Sequence, residues 1–532
     1  MTTPTPSEPV PVAIVGGGPV GLTAALELAH HGVPSVVIEP REVVEHSRPR
    51  AKTTSARSME LFRRLGAAGE IRRRAALPVE WSQDIRFCTT ATGIEITRIE
   101  HVLGLDLTGS DLTAEAAQQV TQPDVEEVLR ALAAASPLVT LRLGATVTDV
   151  DLSADLPRVT MQDAAGTATL TAEHVVGADG SRSVVRAGLG AHYEGSAGGR
   201  PNVNITFRSR RLAELVPPAI HHWVLNPEAP GVIGPLDLHG TWWAISTGTA
   251  SIADHDEAAA LVRGLAGADV DVEVLATDPW QARMLLADSY GSGRAHLVGD
   301  AAHQNPPWGG HGFNTGVGDA VNLAWKIAAV RAGWAPPELL DSYEAERRPI
   351  AQQTIDLAAR NMRALSIDLT SPLLMAEGPD GDAARRAAAS TIQTTKRDEF
   401  FAAGLVLGYG YGPDAAAQAP TTQEYIPICA AGNRLPHARN GRGASLYDLL
   451  GPELTLLGAA PDVWSRTAAA RGIPLHVVDP TTHGFAPVAE GLVLVRPDQH
   501  IAWAGPADAD PEEVWNAAVR GRIADRSRGT DQ

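Results

Sequence analysis

The stretch that decides the fold is Pro11-Val12-Ala13-Ile14-Val15-Gly16-Gly17-Gly18-Pro19-Val20-Gly21-Leu22-Thr23-Ala24-Ala25-Leu26-Glu27-Leu28-Ala29, with Ser35-Val36-Val37-Ile38-Glu39 close behind. Its parts read as a short apolar strand, a GxGxxG turn, a helix, a second buried strand and a terminal acid. The glycines serve different ends, since Gly16 allows the tight turn, Gly18 lets backbone approach a pyrophosphate, and Gly21 permits close packing of helix on strand. The phosphates then sit at the helix N-terminus, around Pro19 and Val20, and Glu39 accepts from the adenosine ribose hydroxyls. Pro40 and Arg41 follow the acid directly and belong to the same site. Glycine-rich turns also arise for packing reasons alone, but the placement here, with the acid at the expected separation, points to a dinucleotide site in a Rossmann-like α/β domain. The motif does not distinguish FAD from NAD(P).

Around this stretch lies a chain of 532 residues, enough for about three domains. Hydrophobic residues make up 44% and charged residues 20%, ample for large cores and against disorder. The formal net charge of -18 disfavours nucleic acid and anionic membrane as partners. Cys88 and Cys429 form no CxxC or metal-spaced cluster, so no metal site and no disulfide framework is expected, and a reducing cytoplasm fits. The uncharged run from Pro9 to Leu26 is broken by glycines and lacks a basic leader. The first ten residues read as a frayed polar tail, with no targeting or spanning segment.

Two later segments narrow the cofactor. Glu173 to Arg186 ends a strand in Asp179-Gly180 and opens a basic helix. Arg294-Ala295-His296-Leu297-Val298 is a strand leading into Gly299-Asp300 and the loop Ala301 to Gly316, after which a long helix runs from Val317 to Ala332. So many Gly and Pro residues between a buried strand and a buried helix imply backbone brought close to a flat ligand. Together the three segments resemble the GxGxxG, DG and GD motifs of the class A flavin-dependent aromatic hydroxylases, the family of p-hydroxybenzoate and phenol hydroxylases.

The resemblance implies a p-hydroxybenzoate hydroxylase fold that binds FAD. In it, Gly299 and Asp300 hold the ribityl chain, Pro307 and Gly310 contact the cofactor, Gly312, Phe313 and Asn314 lie against the isoalloxazine at the positive end of the following helix, and Pro306, Gly312, Phe313 and Asn314 are the catalytic candidates. That end lowers the cost of the anion on reduced flavin. By the same resemblance Asp179 and Gly180 support the pyrophosphate and the approach of NAD(P)H, Arg50 touches FAD, and Gln122 lies on the ribityl side. The implied reaction is hydride transfer from NADPH, or NADH, to flavin, then O2 addition to give a C4a-hydroperoxide that hydroxylates an electron-rich phenolic ring. Arg182 and Arg186 could meet the extra phosphate of NADPH or serve in salt bridges. Where some relatives carry an aspartate base, this chain has Lys52, either an electrostatic partner for a phenolate or carboxylate, or a lysine of a basic loop. Two other readings stand beside this one: a flavin halogenase, disfavoured because no WxWxIP segment is present, and a catalytically silent FAD-binding protein of a biosynthetic pathway.

The discontinuous FAD domain is expected at 1–80, 114–190 and 284–360. Period-two alternation in Asp84–Thr89, Asn202–Phe207, Gly231–Leu236 and Thr241–Ser246 indicates a half-exposed antiparallel sheet over 81–113 and 191–283, the roof of a substrate pocket. Residues 361–400 read as a helical bridge. The βα-β-ββα order in 401–532 suggests a thioredoxin-like domain, which the missing CxxC excludes from thiol redox work and leaves structural or homodimer-related. Phe87 and Trp308 are the aromatic pocket candidates, whereas one of Trp242 and Trp243 must point inward for packing. His303 and His311 suit proton relay by their ordinary pKa, yet loop histidines are more often bonded locally. Arg63 and Arg64 read as a solvated helix face. As substrate, the resemblance implies either a small phenol or a multi-ring polyketide.

Overall fold

The computed structural model describes residues 8–364, 369–412 and 422–522. Most of the expected N-terminal tail, and parts of the expected bridge and C-terminal domain, lie outside them.

The β-branched run Val10–Val15 has no polar face, which suits a parallel strand buried on both sides. It pairs in parallel with Ser35–Glu39 on one side and with the second half of Gly166–Gly177 on the other. Val139–Leu143 and Ala295–Leu297 extend this sheet in parallel at either side. The first half of Gly166–Gly177 pairs antiparallel with Arg158–Asp163, so one strand serves two layers. Helices Pro19–His30 and Gly312–Arg331 pack on each other against the sheet. The second starts five residues earlier than the sequence suggested, and almost its whole length is buried.

The roof is an eight-stranded sheet. Its order runs His303–Gln304, Glu273–Ala287, Tyr193–Arg208, Thr241–Thr247, Gly231–Pro235, His221–Val224, Ile85–Cys88, Glu95–Ile99. Two expectations need correction here. The sheet is not purely antiparallel, because His221–Val224 and Ile85–Cys88 run parallel. Nor is it evenly half-exposed: Ile85–Cys88 and Gly231–Pro235 are buried throughout, whereas Glu95–Ile99 and most of Glu273–Ala287 keep partial exposure. Helix His255–Ala266 covers one face with Ala258, Val262 and Leu265 against Phe207 and Trp242. On the other face Ile392 and Phe400, from the bridge, join Phe87, Trp223 and Trp243. The bridge is helical at Gly378–Thr395, and Gln393 donates from Nε2 to Arg98 O at 2.8 Å, seating it on the edge strand.

The C-terminal sheet has the order Leu475–Val478, Leu454–Leu457, Leu492–Val495, Ile501–Gly505, with only the first pair parallel. This is the arrangement expected of a thioredoxin-like fold. Trp464 and Trp515, from helices Asp462–Ala470 and Pro511–Ala518, are wholly buried with Trp325 of the long helix, so the domain docks through a tryptophan core. A second contact is polar. The turn Arg496–His500 enters between three helices, where Arg496 binds Glu346 at 2.7 and 2.8 Å and Asp498 at 2.6 Å. Arg57 donates to Asp498 O at 2.7 Å and also pairs with Glu60. Arg64 is not on a solvated face: it bridges Glu27 and the Pro497 carbonyl, because the C-terminal domain covers that side of its helix.

Candidate functional site

One continuous cavity of about 1030 Å³ runs from the glycine turn after Val15 to the inner face of the roof. At its first end Gly16 has φ +103, and a Cβ there would lie 2.3 Å from Ala178 O. Gly21 sits behind the turn; its Cβ would lie 2.0 Å from Gly16 O, so both positions exclude a side chain. Gly18 differs: its Cβ would meet nothing within 4 Å, leaving open space where the backbone borders the cavity. Helix Pro19–His30 has no side-chain cap at Gly18, and helix Gly312–Arg331 has none at His311. Both first turns border the cavity through Val20, Gly312 and Phe313. Orphaned N–H groups and the positive helix ends there favour anionic groups.

The acids are arranged unequally. Glu39 accepts from Gly17 N at 2.7 Å and from Arg41 Nε at 2.6 Å, so it is oriented by the protein while lining the wall with Pro40 and Arg41. Asp179 lines the cavity beside Gly180 but uses Oδ2 to accept from Val184 N at 2.7 Å, capping the short helix there. Its Oδ1 is buried without a hydrogen-bond partner among the described residues. Asp300 has a side-chain carboxylate with no hydrogen-bond donor among the described residues, and its exposure is onto the cavity. Burial raises its pKa, against the opposing pull of His303 and Arg50. Arg50, at φ +49, lines the cavity together with Gln122.

Behind this wall the loop is held from within. Asn314 accepts from Ser55 N at 2.9 Å and donates to Gly310 O at 2.7 Å and Thr53 O at 3.1 Å. Its side chain therefore ties the loop to the short antiparallel pair Thr53–Thr54 and Gln118–Gln119. Gly299 packs under Val20, and its N–H donates to Asp319, while Pro306 is buried. His303 is bonded to Asp319 at 2.8 Å, and Asp319 in turn to Arg347. His311 is buried, its pKa lowered to about 4 by desolvation. Neither histidine lines the cavity. Arg186 is spent on the carbonyls of Ala301 and Ser181 and on the face of Tyr193, whereas Arg182 remains at the cavity.

At the roof end, Trp308 lines the cavity with its ring 5.7 Å from Trp280. Phe87 does not. It is wholly buried behind Trp223, stacked on it at 6.0 Å, because its side chain points into the layer that the bridge covers. Lys52 is half-buried at the cavity wall, with Nζ 3.9 Å above the Trp243 ring. Burial lowers its pKa to about 8. Sequence reasoning missed His221, Trp223 and Glu399, which share this end. His221 and Trp223 share the strand His221–Val224, which lies outside the alternating stretches, so none of the three left a signal in the pattern.

The residues present fit FAD. Open space at Gly18, two uncapped helix ends, the orphaned Asp179 oxygen and the unpartnered Asp300 carboxylate offer both donors and acceptors along one wall. This is the geometry of an FAD-binding α/β domain carrying a substrate roof. Residues 9–358 match the FAD binding domain family, and 429–523 match the aromatic-ring hydroxylase C-terminal family. The chain belongs to the FAD-dependent aromatic-ring hydroxylases. It is 30% identical to the tetracenomycin B2 monooxygenase-dioxygenase of Streptomyces olivaceus, over 97% of this chain and 99% of the relative. The flavin-dependent monooxygenase PieE, solved with FAD and substrate, superposes with a TM-score of 0.87 at 29% identity, covering 97% of this chain and 100% of that one. The rebeccamycin biosynthetic enzyme RebC with reduced flavin gives 0.85 at 32%, with the same coverage. Among the described residues no helix is long and apolar enough to cross a membrane.

Proposed function

We propose that this chain is a single-component monooxygenase that uses NAD(P)H and O2 to hydroxylate a planar, electron-rich polyaromatic phenol held between FAD and the tryptophan-lined roof. The observation that carries this reading is continuity: the wall that fits the cofactor and the wall of aromatic rings enclose the same space. When bound, FAD supplies hydride acceptance and O2 activation. The protein supplies the rest.

Asp300 would accept hydrogen bonds from the ribityl hydroxyls, Gly18 and the first turn after it would receive the pyrophosphate, and Arg50 and Gln122 would flank the chain between them. The first turn at Gly312 and Phe313 places a positive helix end where the flavin ring gains negative charge. Asn314 fixes that turn through its three hydrogen bonds. Trp223, Trp243, Trp280 and Trp308 exclude water and offer flat faces to a multi-ring substrate. The size of this aromatic wall and the tetracenomycin relative both favour multi-ring over single-ring substrates. Arg182, free at the cavity wall, supports NADPH over NADH, and the C-terminal domain serves as a structural prop for the cofactor domain.

The test is oxygen incorporation. Purified protein loaded with FAD should oxidise NADPH faster with phenols of increasing ring number, and one label from ¹⁸O2 should appear in the product by mass spectrometry. Protein that retains no flavin after FAD is supplied, or that consumes NADPH without ever labelling a phenol, would overturn the reading.

A further inference from the structure

The chain has three lysines, Lys52, Lys326 and Lys396, and all lie within the fold. Two are fully buried with a carboxylate in place: Lys326 with Glu346 at 2.8 Å, and Lys396 with Glu399 at 3.0 Å. Lys52 has none. No acid acts on its ammonium among the described residues, and its neighbour is the face of Trp243. An enclosed ammonium without a counter-charge is costly to keep, and arginine carries nearly all other positive charge in this chain.

Beside Lys52 lies His221, with ring centroids 5.9 Å from Trp243 and 6.0 Å from Phe400. Trp223 Nε1 donates to His221 Nε2 at 3.2 Å, and an indole N–H is only a donor, so His221 carries its proton on Nδ1. Burial first, and then Lys52 and Lys396, hold the ring neutral, with its pKa lowered to about 3. The ring therefore offers an N–H, and hydrogen-bond donation at Nδ1 is unclaimed among the described residues. Glu399, also on this wall, is taken by Lys396. Lys52 and His221, both lining one end of the cavity with Trp223 and Trp243, thus bring two donors and one uncompensated positive charge to one aromatic wall.

We propose that Lys52 and His221 form an oxyanion subsite that selects substrates bearing an ionised phenol or carboxyl group at one end of the planar ring system. This rests on the reading of the cavity as an aromatic substrate site and adds the charge of what enters it. The ligand's oxygen takes the place that Glu346 and Glu399 occupy for the other two lysines. Binding then converts an unpaired enclosed charge into a charge-assisted hydrogen bond.

The experiment uses FAD-loaded protein and two probes of nearly equal shape, anthraquinone-2-carboxylate and anthraquinone-2-carboxamide, titrated by perturbation of the flavin spectrum and by tryptophan quenching. The wild type should bind the carboxylate at least about tenfold more tightly. Lys52→Met should abolish that preference while leaving carboxamide affinity nearly unchanged, and Lys52→Arg should restore part of it. Because Lys52→Met removes an uncompensated charge, its melting temperature without ligand should equal or exceed that of the wild type, whereas loss of a structural ion pair would lower it. A carboxylate preference that persists in Lys52→Met overturns the subsite alone. Failure of both probes to bind the wild type overturns the subsite together with the substrate reading of the cavity.

Discussion

His31 closes the helix that follows the glycine turn, and it holds the C-terminal domain by charge. Its Nε2 bonds Glu27 at 3.2 Å and its Nδ1 bonds Glu453 at 3.0 Å, just before the strand Leu454–Leu457. Both ring nitrogens meet carboxylates, so both carry protons and the ring is an imidazolium. Burial alone would depress its pKa, but the hydrogen bonds and charges of Glu27 and Glu453 outweigh it and raise the value from 6.5 to about 9. That rise, at about 1.4 kcal/mol for each tenfold change, amounts to about 3 kcal/mol of folding stability. Since the folded pKa lies above the unfolded one, the contribution is complete below pH 6.5, is lost progressively up to about pH 9, and is absent above. Glu27, lowered to about 2 despite its burial by Arg64 and His31, reports partly the same interaction and adds no second sum for that pair. The assay is urea unfolding of the wild type and of His31→Gln at about pH 6 and about pH 9.5, either side of that window, followed by circular dichroism. The variant should be less stable by about 3 kcal/mol at the lower pH, and the two proteins should converge at the higher one. A stability difference that stays constant across this range would refute the charged pairing.

Two further perturbations address the turn and the docking hairpin. Gly21→Ala places a Cβ 2.0 Å from Gly16 O, so the turn must shift; FAD affinity should fall at least about tenfold, read as the ratio of flavin to protein absorbance after gel filtration. Arg496→Met leaves Asp498 without its cation in the interior and Glu346 with Lys326 alone, and should cost about 3 kcal/mol by urea midpoint. Neutralising Asp498 as well, with Asp498→Asn, should recover part of the loss, and an unchanged midpoint in the single variant would show that the network contributes nothing.

The sequence by itself determined the parts of this protein whose geometry is local. A strand, a turn of three glycines and a helix are fixed by neighbouring residues, so Gly16, Gly18, Gly21 and Glu39 could be placed from spacing alone. The glycine- and proline-rich stretch from Gly299 to Gly316, a loop as far as His311 and then the start of a helix, stood out by composition for the same reason. Alternation in the roof strands told which residues share a face, but not what covers that face, and so Phe87 was read towards the cavity although the bridge helix and Trp223 enclose it. Lys52 and His221 stand 169 positions apart in the chain. Only the tertiary structure brings them to one wall, and only burial, a property of the whole fold, changes what their charges cost. The same holds for Arg57 and Arg64, whose helix face meets solvent or protein according to where a domain several hundred residues later comes to rest.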